Sequence, residues 1–319
     1  MMKDLLENKN FFKLVCGAGN EDADEIEKLV YVYAKAGCKV FDLSANIDIV
    51  KIAHKALAKA EVKDAYICIS VGIKGDPHTN KALIDQNICK KCDKCKKICP
   101  QNAILEDIHS NYVKSKKCIG CGKCLQSCQF GAISIYEKEI NFEEILPPII
   151  DTGIDCLEFH ATIKNNFEVL EKWNLLNSIY DGMMSICIDR SNLSNEELVQ
   201  RIKKMTQKRE PYTTIVQADG APMSGGVNDY RTTLQAVATA EIVLKENIPV
   251  YVTLSGGTNS KTAELAKLCG LNISGIAIGS FARKIIKEYV EDKNFWNDTL
   301  LQNGAIKKAK ELINKSICI

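Results

Sequence analysis

Two runs of four cysteines, Cys89-x2-Cys92-x2-Cys95-x3-Cys99-Pro100 and Cys118-x2-Cys121-x2-Cys124-x3-Cys128, restrict what the middle of this chain can become. Three closely spaced thiolates wrap three corners of one cubane, and the fourth cysteine of each run reaches the other cluster. This is the spacing of a module with two [4Fe-4S] clusters. The expected ligand sets are Cys89, Cys92, Cys95 and Cys128, and Cys118, Cys121, Cys124 and Cys99. Gln129 stands where the first run has Pro100, which costs turn rigidity but no ligand. Zinc ribbons instead use C-x2-C pairs on longer spacers. Disulfides suit the pattern poorly, because cysteines three apart on a tight loop favour metal.

Outside residues 76–147 short apolar segments alternate with helical patterns. The strand candidates are 12–19, 39–45, 65–73, 154–161, 184–189, 213–218, 249–254 and 273–278. They are rich in Val, Ile and Cys and apolar nearly throughout, as strands covered on both faces of a parallel sheet are. Between them run helices, one opened by Asn20 and its acidic neighbours, one capped by Asn46, and one by the capping box from Ser194 to Glu197. An amphipathic stretch at about 295–315 should pack outside. Eight strands with eight crossover helices predict an α/β fold, a (β/α)8 TIM-like barrel. An open doubly wound sheet is the competitor. A hydrophobic content of 46% suffices for its core.

The cysteine-rich insertion has a definite address, from Gly75-Asp76-Pro77 after the third strand to Pro147-Pro148 before the fourth. The barrel is then residues 1–75 and 148–319, and the ferredoxin-like module is 76–147. A loop after a strand lies on the C-terminal face, where barrel active sites form. Residues just past the strand ends are therefore the candidates for chemistry. Ser255, Gly256 and Gly257 follow the seventh strand, and Gly279 and Ser280 the eighth; backbone N–H groups there can cradle the phosphate of a flavin mononucleotide or of a substrate. Arg283, one turn on, reads as a surface residue. Asp219 opens the loop Gln217–Gly226, whose glycines suggest a flap. His160, the one histidine at a strand end, is the candidate proton donor. Asp42, Ser44, Asn46, Asp189 and Arg190 are further mouth candidates, while Lys13 and Lys74 carry no sign of a Schiff-base role. The seven other cysteines read as buried free thiols.

Phe12–Ala18, the cysteine insert, the loop Gln217–Gly225, Gly256–Asn259 and Ile278–Arg283 together resemble the light-dependent-period (LdpA) iron–sulfur proteins of cyanobacteria, over essentially the whole chain and in the same order. The resemblance implies a redox-sensing role, there reporting electron-transport state to the circadian clock. What carries over to this lysine-, asparagine- and isoleucine-rich chain is cluster-bearing redox character.

Two functions follow as expectations. One is an oxidoreductase that passes electrons through two [4Fe-4S] clusters to a flavin or small substrate at the barrel mouth. The other is a regulatory protein whose cluster state a protein partner reads. Residues 85–136 hold nine lysines against four acidic residues, an excess of five, which suits an acidic ferredoxin- or flavodoxin-like donor. The overall charge of +2 gives no bias toward nucleic acid or membrane. With no long apolar run and no apolar stretch in Met1–Glu7, a cytoplasmic location is expected. A P-loop, a HExxH motif, a Ser-His-Asp order and a C-x3-C-x2-C radical motif are absent from the sequence.

Overall fold

The segments that read as buried on both faces close into one sheet. In the computed structural model, residues 1–17, 19–76, 79–137, 140–220 and 226–317 are described. A short helix α1 (Met2–Glu7) precedes β1 (Phe11–Val15), α2 (Ala23–Lys35), β2 (Val40–Ser44), α3 (Ile47–Lys59) and β3 (Tyr66–Val71). The insertion then supplies β4 (Asn80–Ile84), α4 (Lys94–Ile98), β5 (Ile104–Glu106), β6 (Asn111–Val113), α5 (Lys123–Ser127) and β7 (Ile133–Glu137). The barrel resumes with α6 (Phe142–Ile150), β8 (Cys156–His160), α7 (Asn166–Ile179), β9 (Met183–Ile188), α8 (Asn195–Thr206) and β10 (Thr214–Asp219). It ends with α9 (Tyr230–Lys245), β11 (Tyr251–Ser255), α10 (Thr262–Leu268), β12 (Gly275–Ile278), α11 (Ser280–Val290) and α12 (Thr299–Ile317).

The eight barrel strands are all parallel, in the closed order β1-β12-β11-β10-β9-β8-β3-β2, so the open-sheet alternative does not hold. Closure brings Phe11 beside Gly275. A methyl group on Gly275 would sit 2.3 Å from the Phe11 carbonyl oxygen, so a glycine is what lets the first and last strands meet.

Alternation along the strands sorts the residues into layers. Leu14, Phe41, Leu43, Ile69, Phe159 and Ile186 face the helices and are fully buried there. Each contributes about 1.5–3 kcal/mol by leaving water. Inward-facing Phe11, Val40, Cys68, Cys156, Ile215 and Tyr251 form an apolar floor, sealed from below by Met2 and Leu6 of α1. The next inward layer is polar and holds the site described below.

Helix α2 starts at Ala23, capped by Asp22, whose carboxylate accepts from Glu25 N at 3.1 Å. Asn20 stands outside it and instead accepts from Asp22 N, which corrects the expected start. The expected module boundary at 147/148 falls inside α6, which contains both prolines and buries Phe142, Leu146 and Ile149 in the main barrel core. The described part of the module is an antiparallel ribbon, Asn80 opposite Glu137 through Ile84 opposite Ile133, with the small sheet β5–β6 and two one-turn helices. Among the described residues no helix is long and apolar enough to cross a membrane.

Candidate functional site

Inward positions above the apolar floor carry one polar side chain after another. Lys13 on β1, Asp42 on β2, Ser70 on β3, Glu158 on β8, Ser185 on β9 and Gln217 on β10 are each at most 4% exposed. Glu158 is the hub. One carboxylate oxygen accepts from Lys13 Nζ at 2.5 Å and Ser185 Oγ at 2.8 Å, the other from Gln217 Nε2 at 2.9 Å, with Ser70 Oγ 3.3 Å away. Ser70 Oγ donates to Asp42 Oδ1 at 2.6 Å, and Asp42 lies 3.8 Å from Lys13.

The charges follow from this packing. Burial alone would raise Glu158, but the Lys13 ammonium and then His160 pull it well below the carboxylate range. Burial would lower Lys13, and Glu158 and Asp42 outweigh it, holding the ammonium well above its usual value. Asp42, farther from Lys13, is pushed up by burial to about 6. His160 sits one layer higher, with Nδ1 2.8 Å from Asp76 Oδ2 and Nε2 3.7 Å from Glu158. Burial disfavours its charge, yet Asp76 and Glu158 more than reverse that, so the imidazolium is held well above the histidine range.

Asp76, fully buried, comes from the segment that leads out of β3 into the module. Its carboxylate occupies the space beside Gly72, where a methyl would meet Asp76 Oδ2 at 1.9 Å. The stalk of the insertion is therefore pinned to the mouth end of β8 by the Asp76–His160 contact. Glu158, His160 and Cys187 place ligand atoms within 4.8 Å of one another. Three donors, Lys13, Ser185 and Gln217, already occupy the Glu158 oxygens, so the group reads as a hydrogen-bonded ion cluster. Burial, reinforced by Asp219 and Glu158, pushes the Cys187 thiol well up.

Above the cluster a cavity of about 90 Å³ is lined by Asp42, Glu158, His160, Asp219, Ser255, Gly256, Gly257, Gly279, Ser280 and Arg283. Its wall also includes Ile119, which lies between Cys118 and Cys121 of the module. Ile119, Ser280 and Arg283 extend into a cleft of about 730 Å³, bounded by Pro100–Asn102 and Lys123 on the module and by Glu25, Lys284 and Lys287 on the barrel. Gly256 and Gly257 have φ of +61° and +78°, and a methyl on Gly256 would lie 2.5 Å from both Asp219 Oδ1 and Gly220 N. Glycine at 256 is thus what allows Asp219 to stand against the seventh-strand loop.

Arg283 is a correction to the sequence reading. It is buried, not a surface residue: Nη1 donates to the Val15 carbonyl at 3.0 Å, and Nε finds no partner among the described residues. Asn46 caps α3, Ser44 Oγ donates to the Asn20 carbonyl, Asp189 accepts from Ser191 N at 2.8 Å, and Arg190 and Lys74 are exposed; none of these lines the cavity. Residues 221–225 of the proposed flap lie outside the described residues. Glu158, Asp76 and Cys187 were missed as site residues. A signal existed in Cys156-Leu157-Glu158-Phe159-His160, where two ionisable groups share one face of an otherwise apolar strand.

In the module, Cys99, Cys118, Cys121 and Cys124 line one common cavity. Cys95, Cys118 and Cys124 are buried, Cys89, Cys99, Cys121 and Cys128 half-buried, and Cys92 exposed. Backbone N–H groups of Lys91, Ala82 and Ala103 donate to the sulfurs of Cys89, Cys118 and Cys99 at 3.3–3.4 Å. Four thiols so grouped, with N–H donors aimed at sulfur in both runs, fit iron–sulfur ligation.

Fold and donor set define an iron–sulfur protein built as a (β/α)8 barrel with a dicluster insertion. A 4Fe-4S dicluster domain matches residues 81–129, and the Light dependent period A C-terminal domain matches residues 148–317. The protein "Light dependent period A" of Synechococcus elongatus is 30% identical over 305 residues, covering 90% of this chain and 84% of that one. The chain belongs to the light-dependent-period A family. Its module is also similar to the pyruvate synthase subunit PorD of Methanocaldococcus jannaschii, 33% identical over 66 residues, which is 20% of this chain and 77% of that protein. Among solved structures, the YdjI aldolase from Escherichia coli K12 superposes with a TM-score of 0.49 at 10% identity, covering 98% of this chain and 93% of that one.

Proposed function

We propose that this iron–sulfur protein is an oxidoreductase that delivers electrons from its module to a small acceptor, or a flavin mononucleotide, at the barrel mouth. When bound by Cys89, Cys92, Cys95 and Cys128 and by Cys99, Cys118, Cys121 and Cys124, two [4Fe-4S] clusters supply one-electron transfer. The observation that carries the reading is Ile119: a residue between two of these cysteines lines the same cavity as His160, Glu158 and Asp219.

The chain's own groups then divide the work. His160 holds a proton over the cavity, Asp76 orients it, and Asp76 and Glu158 together keep the imidazolium charged. Gly256, Gly257, Gly279 and Ser280 offer backbone N–H groups, and Ser255 and Arg283 side-chain donors, to a phosphate. Asp219 faces them. A cavity of about 90 Å³ admits only the reacting end of a ligand, so the body of a flavin would occupy the cleft of about 730 Å³, a volume in the usual range for ligand sites. Exposed Cys92 among Lys90, Lys91, Lys94, Lys96 and Lys97 marks the face for an acidic ferredoxin- or flavodoxin-like donor.

Anaerobically purified protein tests this directly. Acid release should yield flavin, or a strong reductant should drive turnover of an added acceptor, and His160→Gln should abolish that turnover. Fully loaded protein with neither flavin nor turnover sinks the reading. A sensor function is the second reading, supported by family membership and by the Asp76 link between stalk and barrel. Partner capture that is the same with oxidised and reduced protein would count against it.

A further inference from the structure

The geometry points to Lys81 as the residue that sets the direction of electron flow: its buried ammonium raises the potential of the inner cluster site, formed by Cys99, Cys118, Cys121 and Cys124, above that of the outer one. The inference rests on the proposed path from module to mouth. Lys81 lies on β4 and is 3% exposed. Its Nζ donates to the carbonyls of Gly19 at 2.6 Å, Cys118 at 2.7 Å and Ser115 at 3.1 Å. Carbonyls only accept, so three hydrogens are in use; a neutral amine has two, and the group is therefore an ammonium.

The position of this charge matters more than its presence. The next residue, Ala82, donates N–H to Cys118 Sγ, so Lys81 and Ala82 hold the carbonyl and the sulfur of one ligand. Gly19 lines the mouth cavity, which places the ammonium between the inner site and the cavity. Reduction adds a negative charge, and burial opposes that, so burial alone would give the inner site the lower potential. Electrons would then rest at the outer site, beside exposed Cys92. Hydrogen bonds to sulfur do not separate the sites, since the described residues supply them to both: Ala82, Ala103, Lys123 and Leu125 to the inner, Lys91, Lys96, Asn111 and the backbone of Cys95 to the outer. The lysines around the outer site are exposed and screened by water and salt. A cation out of water acts with much less screening. Lys81 is thus positioned to reverse the order.

EPR-monitored redox titration of the anaerobic holoprotein is the test. In the unaltered protein, the signal that Cys121→Ser perturbs should appear at the higher potential, and the one that Cys92→Ser perturbs at the lower. Lys81→Met and Lys81→Gln should each lower the first midpoint by at least tenfold in reduction equilibrium, about 59 mV for one electron. Lys114→Met, which removes a rim charge, should move neither. A higher-potential outer site in the unaltered protein overturns the inference, even if the Lys81 variants fail to fold. Unchanged midpoints in both folded Lys81 variants overturn it as well. The predicted order without acceptor turnover would sink only the enzyme reading; turnover with the reverse order would sink only this one.

Discussion

The barrel and its insertion are held together by different physics. Barrel helices and strands share one large apolar core, with Trp173, Tyr33, Phe41 and Phe159 fully or almost fully buried. The module's core consists of Ala82, Ile84, Ala103, Ile104 and Ile133 with three cysteines. So few small side chains cannot offset the entropy of ordering such a segment, and metal–thiolate bonds must supply the difference. The polar contents differ as well. The module points sulfur inward, while the barrel encloses an ion cluster whose charges sustain one another.

Iron removal should therefore separate the two regions, and it has the largest expected effect. Hydrogen exchange of iron-free protein should show residues 80–137 exchanging as an unfolded segment while the barrel strands keep their protection. Joint loss of protection would erase the distinction. Next comes the ion cluster. Lys13→Met leaves Glu158 charged and buried, and should cost the barrel about 3–5 kcal/mol in denaturant unfolding. Adding Glu158→Gln should recover much of that.

The pH dependence sharpens the contrast further. A raised histidine contributes stability that is complete below its unfolded value of about 6.5 and fades as pH rises through the folded one. Asp42, at about 6 folded against about 3.9 unfolded, also makes stability fall with rising pH, but between about 4 and 6. Glu158 acts oppositely, its contribution being present above about 4.3 and lost as pH falls. His160→Gln should abolish the decline above pH 6.5, and Asp42→Asn that between 4 and 6, the latter a change of up to about 3 kcal/mol by urea titration. The smallest effect belongs to the rim. Lys114→Ala removes the 2.7 Å pair to Asp22 and should cost at most about 1 kcal/mol, since the lysine is half exposed.

What the sequence disclosed follows the same division. Cluster ligands are local, four cysteines within eleven residues, so their spacing alone announces them. Barrel strands announce themselves too, because both of their faces are covered and few polar residues interrupt them. The ion cluster is not local. Lys13, Asp42, Ser70, Glu158, Ser185 and Gln217 come from six strands, one inward position each, and only the register between strands brings them together. Arg283 was misread for the same reason: its burial depends on Val15, 268 residues away. His160 and Asp219, which line the cavity, could be picked out as candidates because strand ends are where such residues collect, but Asp76 was passed over as the mere start of an insertion.

The ribbon of β4 and β7 gives the insertion two ends side by side, and this bears on how the chain comes to be assembled. Cys68 must find Cys156 across everything in between. A module still without iron is a long slack tether for that encounter, whereas a loaded one is a short link. Each halving of the effective tether is worth about 0.6 kcal/mol. Iron supply would then be felt first in how quickly newly made chains close their cylinder, before any electron has moved.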